Sequence, residues 1–235
     1  MAQGKKTILW DFDGTLVPFT SWRFALMDVL NECEPGHGID QEQIRPFLRN
    51  GFPWHRPEEP HTHLTTPEAW WTHLEPVFVR AFQGVGFTNT RAQELGRQVR
   101  KQMTNPGRFI LLEDALPTLK YLQEQGWRHG ILSNHMPELS EIVRALGLNP
   151  YVDFCLSSGI TGYEKPNPQS FRLALSRAGN PEKVWMVGDN VVSDIKGAEN
   201  AGIQAILVHQ PPTEGAKHWA ADLKEVVRII QANSS

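Results

Sequence analysis

Short apolar runs alternate with amphipathic stretches along the second half of the chain, and this pattern constrains the fold most. From residue 107 onward, runs typical of buried strands alternate with stretches that carry apolar residues at helical spacing. The predicted strands cover residues 129–133, 152–156, 184–187 and 205–208. The predicted helices cover residues 116–125, 139–146, 168–178 and 194–201. Such an alternation predicts an α/β fold, in which a parallel sheet is covered by helices on both faces.

The segment from residue 18 to residue 106 has a different texture. Stretches with helical patterns occur near residues 22–31, 41–48, 67–82 and 90–103, and no convincing strand lies between them. The middle of this segment is rich in proline and is predicted to be a loop. Because another apolar run ends at residue 10, we expect a helical insert directly after the first strand of an α/β core.

Composition excludes several classes of protein. The chain has 235 residues, 40% of them hydrophobic and 21% charged, which is ordinary for a globular protein. Its net charge of -3 gives no electrostatic reason to expect a nucleic-acid partner. No apolar run is long enough to cross a bilayer, and the residues before the first aspartates are too few for a secretory signal. We therefore expect a cytoplasmic protein, in which Cys33 and Cys155 form no disulfide.

The sequence Asp-Phe-Asp-Gly-Thr-Leu at residues 11–16 directly follows the first predicted strand. Because side chains on a strand alternate between faces, Asp11 and Asp13 leave the backbone on the same side. Two neighbouring carboxylates repel each other unless a proton or a cation compensates, and Mg²⁺ is a cation that prefers oxygen ligands. Gly14 permits a sharp turn and a close approach of the backbone to a ligand. The stretch predicts a nucleophilic carboxylate, a second carboxylate for proton transfer, and a metal beside them.

Three later stretches carry polar residues close to predicted strand ends or helix starts. Ser133 and Asn134 end a strand, where ligands of α/β sheets collect, although such a pair also serves as a helix N-cap. Lys165 precedes two prolines that restrict where its ammonium can reach, and phosphoryl transfer gains from such a cation. Asp189 follows a strong apolar strand, where a metal ligand is expected. Asp194 lies near a helix start, a favourable position for a negative charge in any protein.

Taken in order, these four stretches resemble the motifs of the haloacid dehalogenase (HAD) superfamily, in the branch of phosphatase-type hydrolases with an alpha-helical cap. The resemblance extends from Ile8 to about Val208. It implies a Rossmann-like, HAD-like core domain made of residues 1–17 and 107–235. It also implies that residues 18–106 form a mobile helical cap domain.

The resemblance also implies a role for each motif residue. Asp11 would attack phosphorus and become an aspartyl-phosphate, while Asp13 would protonate the leaving oxygen and then activate water. The cofactor would be Mg²⁺, held by Asp11, Asp189 and the backbone carbonyl of Asp13. Asp194 would support the water shell of the metal or orient Lys165. The residues expected to bind the phosphoryl group are Ser133, Asn134, Lys165, Gly14 and Thr15.

Asp13 bears on the type of reaction. The dehalogenating and phosphonate-cleaving members of the superfamily lack aspartate at this position, so Asp13 argues against both chemistries. We expect hydrolysis of a phosphate monoester of a small metabolite. Two alternatives stay open: a phosphomutase or phosphotransferase acting on a sugar phosphate, and a binding protein that keeps the scaffold without turnover. The oligomeric state, monomer or dimer, also stays open.

The insert and the second motif supply candidates for substrate specificity. Trp22 and Arg23 lie just past the first motif, and Trp54 and Arg56 lie in the proline-rich loop. We hypothesise that one of these two pairs contacts the leaving group of the substrate. His135 directly follows the second motif, where it would face the mouth of the site or occupy the start of a helix.

Overall fold

A parallel sheet forms the centre of the protein, which is described by a computed structural model over residues 6–233. Its strands are β1 (Lys6–Trp10), β2 (Trp127–Ser133), β3 (Phe154–Ser157), β4 (Lys183–Gly188), β5 (Gln204–Val208) and β6 (His218–Ala220). The six strands lie in the order β3-β2-β1-β4-β5-β6, and every neighbouring pair is parallel. The residues that precede position 6, on which the expectation about a secretory signal rests, lie outside this range.

Helices connect the strands. Between β1 and β2 lie α1 (Trp22–Cys33), α2 (Gln41–Ile44), α3 (Pro67–Gly84), α4 (Asn89–Met103) and α5 (Ala115–Glu124). The later helices are α6 (Leu139–Ala145), α7 (Ser158–Thr161), α8 (Pro168–Ala178), α9 (Gly197–Asn200) and α10 (Leu223–Ala232). Short 3₁₀ turns occur at Arg45–Leu48, Pro53–His55, Thr62–Leu64 and Pro106–Arg108, and a π-helical turn at Val191–Lys196.

The sheet is buried on both faces because its strands alternate two sets of apolar side chains. On β1, Ile8 and Trp10 join one apolar cluster, together with buried residues of α5, α6 and α10. Leu9 joins a second cluster with buried residues of α8 and α9. The predicted α/β class, a parallel sheet covered on both faces, is therefore confirmed.

The connection between β1 and β2 contains helices separated by loops and no strand among the described residues, as its sequence pattern predicts. One predicted helix, at residues 41–48, is instead split into α2 and a 3₁₀ turn. Pro46 explains the split, because proline has no backbone N–H to continue the α-helical ladder. Apolar residues of α1, α3 and α4 belong to the same cluster as Ile8 and Trp10. The division into a core domain (1–17 and 107–235) and a cap domain (18–106) stays a prediction.

Three elements were not predicted from the sequence: β6, α10 and α7, a helix of only four residues. β6 has only three residues at the sheet edge, too few to form a recognisable apolar run. α10 is strongly amphipathic and lies next to α5, on the face of the sheet that carries Ile8 and Trp10. It follows the last predicted strand, and no element was predicted after that strand. The predicted helix at 194–201 is also corrected: a wide π-helical turn precedes a short α9, and the Asn190 side chain accepts hydrogen bonds from Val192 and Ser193 backbone N–H groups.

Two buried carboxylates join the helical insert to the rest of the protein. Glu138, at the N-terminal end of α6, accepts hydrogen bonds from Trp71 Nε1 (2.9 Å) and an Arg100 guanidinium nitrogen (3.0 Å). Glu164 lies 2.7 Å from His61 Nδ1. The insert is thus attached by polar contacts at two places in addition to its apolar packing. Within residues 6–233, no helix has both the length and the apolar character needed to span a bilayer.

His129 on β2 is held in its neutral form. The indole N–H of Trp10 can only donate, so His129 Nδ1 accepts it (3.0 Å), and the opposite nitrogen Nε2 donates to the Leu119 carbonyl (3.0 Å). Burial lowers the pKa of His129 to about 4. A folded-state pKa below the unfolded-state value means that this stability contribution is complete above about pH 6.5 and is lost as pH falls towards 4.

We therefore expect protonation of His129 to reduce the unfolding free energy by roughly 3 kcal/mol between pH 7 and pH 4. Urea unfolding of the wild type and of His129→Gln at both pH values measures this difference, since other groups titrate equally in both proteins. His63→Gln, at an exposed histidine, is the control and should follow the wild type. An equal loss of unfolding free energy between pH 7 and pH 4 in the wild type and in His129→Gln would contradict this expectation.

Candidate active site

Three neighbouring strands bring the predicted motifs to one edge of the sheet. Trp10 at the end of β1 is level with Ile131 on β2 and Val187 on β4. Asp11 continues from β1, and its backbone N–H donates to the Val187 carbonyl (2.9 Å). Because the strands are parallel, their carboxyl ends deliver the residues that follow each of them to the same crevice.

Lys165 is the centre of this crevice. Its ammonium Nζ lies 2.9 Å from Asp11 Oδ1 and 2.5 Å from Asp194 Oδ1, and the side chain is buried. Burial by itself lowers the pKa of Lys165, but the carboxylates of Asp11 and Asp194 outweigh this effect and raise the pKa above its usual value. The lysine is therefore a fixed positive charge in contact with the predicted nucleophile.

Asn134 fixes the backbone that carries this lysine. Its side-chain Oδ1 accepts the Lys165 N–H (2.6 Å), and its Nδ2 donates to the Lys165 carbonyl (2.8 Å). The sequence analysis assigned Asn134 to the phosphoryl group and missed these two hydrogen bonds. The Asn134 side chain thus positions the backbone of Lys165.

Asp13 is the second carboxyl group of the first motif. Burial, followed by the nearby charges of Asp11 and Asp189, raises the pKa of Asp13 to about 8, so this group carries a proton at neutral pH. His135 Nε2 lies 3.5 Å from Asp13 Oδ2. Burial lowers the pKa of His135 to about 4, so the imidazole is neutral and forms no ion pair with Asp13 at neutral pH.

The carboxylates of this crevice fit a hard divalent cation. Single oxygens of Asp11, Asp189 and Asp194 lie within 4.8 Å of one another. The three carboxyl groups face a single ammonium among the described residues, that of Lys165, and burial, followed by the charge of Asp11, raises the pKa of Asp189 to about 6. Oxygen-only donors and excess negative charge are the chemistry that Mg²⁺ prefers.

Asp194 differs from the other two carboxylates because both of its oxygens have partners. Oδ1 accepts from Lys165, and Oδ2 accepts the backbone N–H of Asn190 (3.0 Å). Burial raises the pKa of Asp194, while Lys165 opposes the rise. Of the two roles expected for Asp194, this arrangement favours the orientation of Lys165. Asp11 and Asp189 are then the side chains best placed to hold a metal.

Two glycines make room for these carboxylates. Gly14 has φ +75°, and a Cβ there would collide with the Asp189 carboxylate. A Cβ on Gly188 would collide with the Asp194 carboxylate in the same way. The Gly14 N–H donates to the Val17 carbonyl (2.8 Å) and is therefore used within the turn.

A cavity of about 380 Å³ lies over these groups. Predicted site residues that line it are Asp11, Asp13, Ser133, Asn134, Lys165, Asp189, Trp22, Trp54 and His135. Gly14 and Thr15 are not among the described residues that line it. Arg23 instead pairs with Glu42 (2.9 Å), and Arg56 pairs with Glu59 (3.4 Å). The structure thus brings both tryptophans, but neither arginine, to the cavity.

Several lining residues were missed from the sequence. They are Phe19, Thr20, Pro57, Met103, Met136, Pro166, Asn190, Val192 and Ser193. Asn190 and Ser193 lie inside the fourth motif, and Phe19 and Thr20 follow the first motif. Their closeness in sequence to these motifs could have identified them as candidates. Met103 ends α4, and only the tertiary structure brings it to the cavity.

Comparison with known proteins identifies the family of this chain and proteins of similar sequence. Residues 5–202 match the family described as haloacid dehalogenase-like hydrolase. The chain is 32% identical over 210 residues to haloacid dehalogenase-like hydrolase domain-containing protein 3 of Mus musculus, covering 86% of this chain and 81% of the relative. It is 33% identical over 159 residues to a phosphoserine phosphatase of Thermus thermophilus, covering 65% and 63% respectively.

Solved structures share the fold over nearly the whole chain. The 2-haloacid dehalogenase from Pseudomonas syringae pv. Tomato superposes with a TM-score of 0.69 at 25% sequence identity, covering 97% of this chain and 99% of that one. Relatives named for phosphate release and for halide release therefore share this architecture, so the reaction has to be inferred from the side chains at the site.

Proposed function

We propose, from the premise that the chain belongs to the haloacid dehalogenase-like hydrolase family, that it is a Mg²⁺-dependent phosphatase acting on the phosphate monoester of a small metabolite. The observation that carries the proposal is the buried Lys165 ammonium, 2.9 Å from Asp11 in a cavity that Ser133 also lines. A carboxylate beside a fixed cation and a hydroxyl donor is suited to attack on a phosphoryl group.

The first half of the reaction transfers the phosphoryl group to the protein. Asp11 attacks phosphorus, the bond between phosphorus and the ester oxygen breaks, and Asp13 gives its proton to the departing oxygen. Lys165 and the Ser133 hydroxyl hold the phosphoryl oxygens during this transfer. A bound Mg²⁺, held by Asp11, Asp189 and the Asp13 carbonyl, would supply further neutralisation of phosphoryl charge.

The second half releases phosphate. Asp13, now ionised, takes a proton from a water molecule that attacks phosphorus, and the bond to Asp11 breaks. Asp11 returns to a free carboxylate and inorganic phosphate leaves. Asp194 and Asn134 keep Lys165 in place throughout, since their contacts with it do not involve the substrate.

The helical segment 18–106 would act as a cap over this site. Trp22, Trp54 and Met103 from this segment line the cavity, so its position decides how much water reaches the phosphoryl group. Glu138 and Glu164, which lie outside the segment, contact it through Trp71, Arg100 and His61. These contacts would hold the cap closed during phosphoryl transfer, and their breakage would accompany product release.

Halide displacement is the main competing reaction, because structural relatives carry that name. Asp13 supports phosphatase chemistry: its carboxyl group lines the cavity beside Asp11, where an acid is needed for an alkoxide leaving group but not for a halide. A phosphomutase would use the same groups. A sugar phosphate as substrate separates the two activities, since a phosphatase yields free phosphate and a mutase yields an isomer.

Removal of the metal tests the proposal. With a generic aryl phosphate, we expect phosphate release in Mg²⁺ and a loss of about a hundredfold or more after EDTA treatment, because the cation contributes several kcal/mol of charge stabilisation. Activity should return when Mg²⁺ is added back, and circular dichroism should show the fold unchanged. Phosphate release that resists EDTA, or halide release from 2-chloropropionate, would contradict the proposal.

A further inference from the structure

Beyond the carboxylates, Lys165 and Ser133, apolar side chains make up much of the lining of the catalytic cavity. Its lining includes Phe19, Trp22, Trp54, Met103, Met136 and Val192. Most of these belong to the helical segment rather than to the strand ends. The volume of about 380 Å³ is sufficient for a small organic group in addition to phosphate.

Positive charge is scarce in this cavity. Among the described residues that line it, Lys165 carries the only full positive charge, and that charge is bound between Asp11 and Asp194. Arg23 is paired with Glu42. The imidazole of His135 faces Asp13. A second anionic group on the substrate would therefore lose its hydration without gaining a cationic partner.

Three arginines line a neighbouring cavity instead. These are Arg23, Arg45 and Arg49, and Phe19, Trp22 and Trp54 border both cavities. None of the three arginines borders the catalytic cavity. A ligand confined to the catalytic cavity thus meets the aromatic rings and not the guanidinium groups.

The aromatic rings pack against one another and form a continuous apolar surface. The Trp22 and Trp54 ring centroids are 6.1 Å apart, and Trp54 stacks on Phe52 at 4.8 Å, which fixes its plane. Phe19 is 71% exposed and Val192 is 56% exposed, so large apolar side chains face solvent at the same cavity. Exposed apolar groups next to a polar catalytic centre are a feature of ligand-binding sites.

We infer that the substrate is a phosphate monoester whose leaving group is an uncharged alcohol with a flat apolar face, and that Phe19 and Trp54 determine this specificity. The inference rests on the proposed phosphatase function and narrows it. It disfavours substrates that carry a carboxylate or a second phosphate close to the ester.

A matched pair of substrates tests the charge preference. 2-Phenylethyl phosphate and its 4-carboxy derivative have the same ester chain and nearly the same leaving-group basicity, and only the second carries an anionic group on its ring. We expect kcat/KM to be about tenfold or more higher for the uncharged ester. Equal or higher kcat/KM for the carboxylated ester would overturn the inference and indicate that the arginine-lined cavity takes part.

Variants test the two aromatic residues. Phe19→Ala should raise KM for 2-phenylethyl phosphate about five- to tenfold more than KM for ethyl phosphate, because ethyl phosphate has the same reacting group without the ring. Phe19 is largely exposed, so its removal should not unfold the protein. Ile110→Ala is the matched control, since Ile110 is also 71% exposed but does not line the cavity. Trp54→Ala should likewise raise KM for 2-phenylethyl phosphate.

The outcomes separate this inference from the proposed function. Hydrolysis of ethyl phosphate with no preference for the phenyl ester, or wild-type behaviour of both Phe19→Ala and Trp54→Ala, overturns the inference and leaves the phosphatase intact. No Mg²⁺-dependent phosphate release from any of the three esters overturns both.

Discussion

Replacing Asp11 with asparagine should abolish phosphate release and leave the protein folded. The amide retains the shape of the carboxylate but is a poor nucleophile, so we expect kcat to fall by about 10⁴-fold or more. The fold should survive, because the β1 connection to Val187 uses the Asp11 backbone N–H, and Lys165 keeps its ion pair with Asp194. Steady-state assays with an aryl phosphate measure kcat, and thermal unfolding measures stability.

Asp153→Asn is the control for this substitution. Asp153 precedes β3 and forms an ion pair with Arg128 (2.8 Å) away from the cavity, and its replacement removes the same charge. Its kcat should match the wild type. Residual turnover by Asp11→Asn within tenfold of the wild type would mean that water attacks the ester directly and that Asp11 only binds metal.

Replacing Asp13 with asparagine should separate the two halves of the reaction. An alkyl phosphate needs an acid for its leaving oxygen, so we expect its turnover to fall by about 10²- to 10⁴-fold. A nitrophenyl phosphate has a leaving group that departs without a proton, so the transfer to Asp11 should still occur. Because water then lacks its base, rapid mixing should show a burst of nitrophenol followed by slow turnover.

The burst amplitude is the informative quantity. It should approach the concentration of active sites, and it should be absent in the double variant Asp11→Asn/Asp13→Asn. A linear time course for Asp13→Asn with no burst, together with equal losses for alkyl and aryl substrates, would contradict the assignment of Asp13 to both proton transfers.

The α/β architecture was predictable because it depends on local patterns. Apolar runs such as residues 184–187 identify buried strands without knowledge of their neighbours. The parallel arrangement then sends the residues after each strand to one edge, which is why Asp11, Ser133 and Asp189 could be expected to share a crevice. β6 was not predictable, since three residues at a sheet edge carry no periodic signal.

Contacts between distant side chains were not predictable from the sequence. Two hydrogen bonds between the Asn134 side chain and the Lys165 backbone join residues that are 31 positions apart, and no local sequence pattern encodes them. Asp194 differs, because orientation of Lys165 was one of the two roles that the resemblance implied for it; only its second contact, with the Asn190 N–H, was not expected. The specificity candidates in the insert differ in where they lie. Trp22 and Trp54 border the cavity, whereas Arg23 and Arg56 form ion pairs with Glu42 and Glu59.

Covalent capture of the phosphoryl group by Asp13→Asn tests the central claim most directly. The variant would be mixed with nitrophenyl phosphate and Mg²⁺, quenched in acid, digested, and mapped by mass spectrometry. A hydroxylamine-labile phosphoryl group on the carboxylate of Asp11 is the predicted result. A phosphoryl group on another residue, such as Ser133 or His135, or none on any peptide despite a nitrophenol burst, would contradict the account.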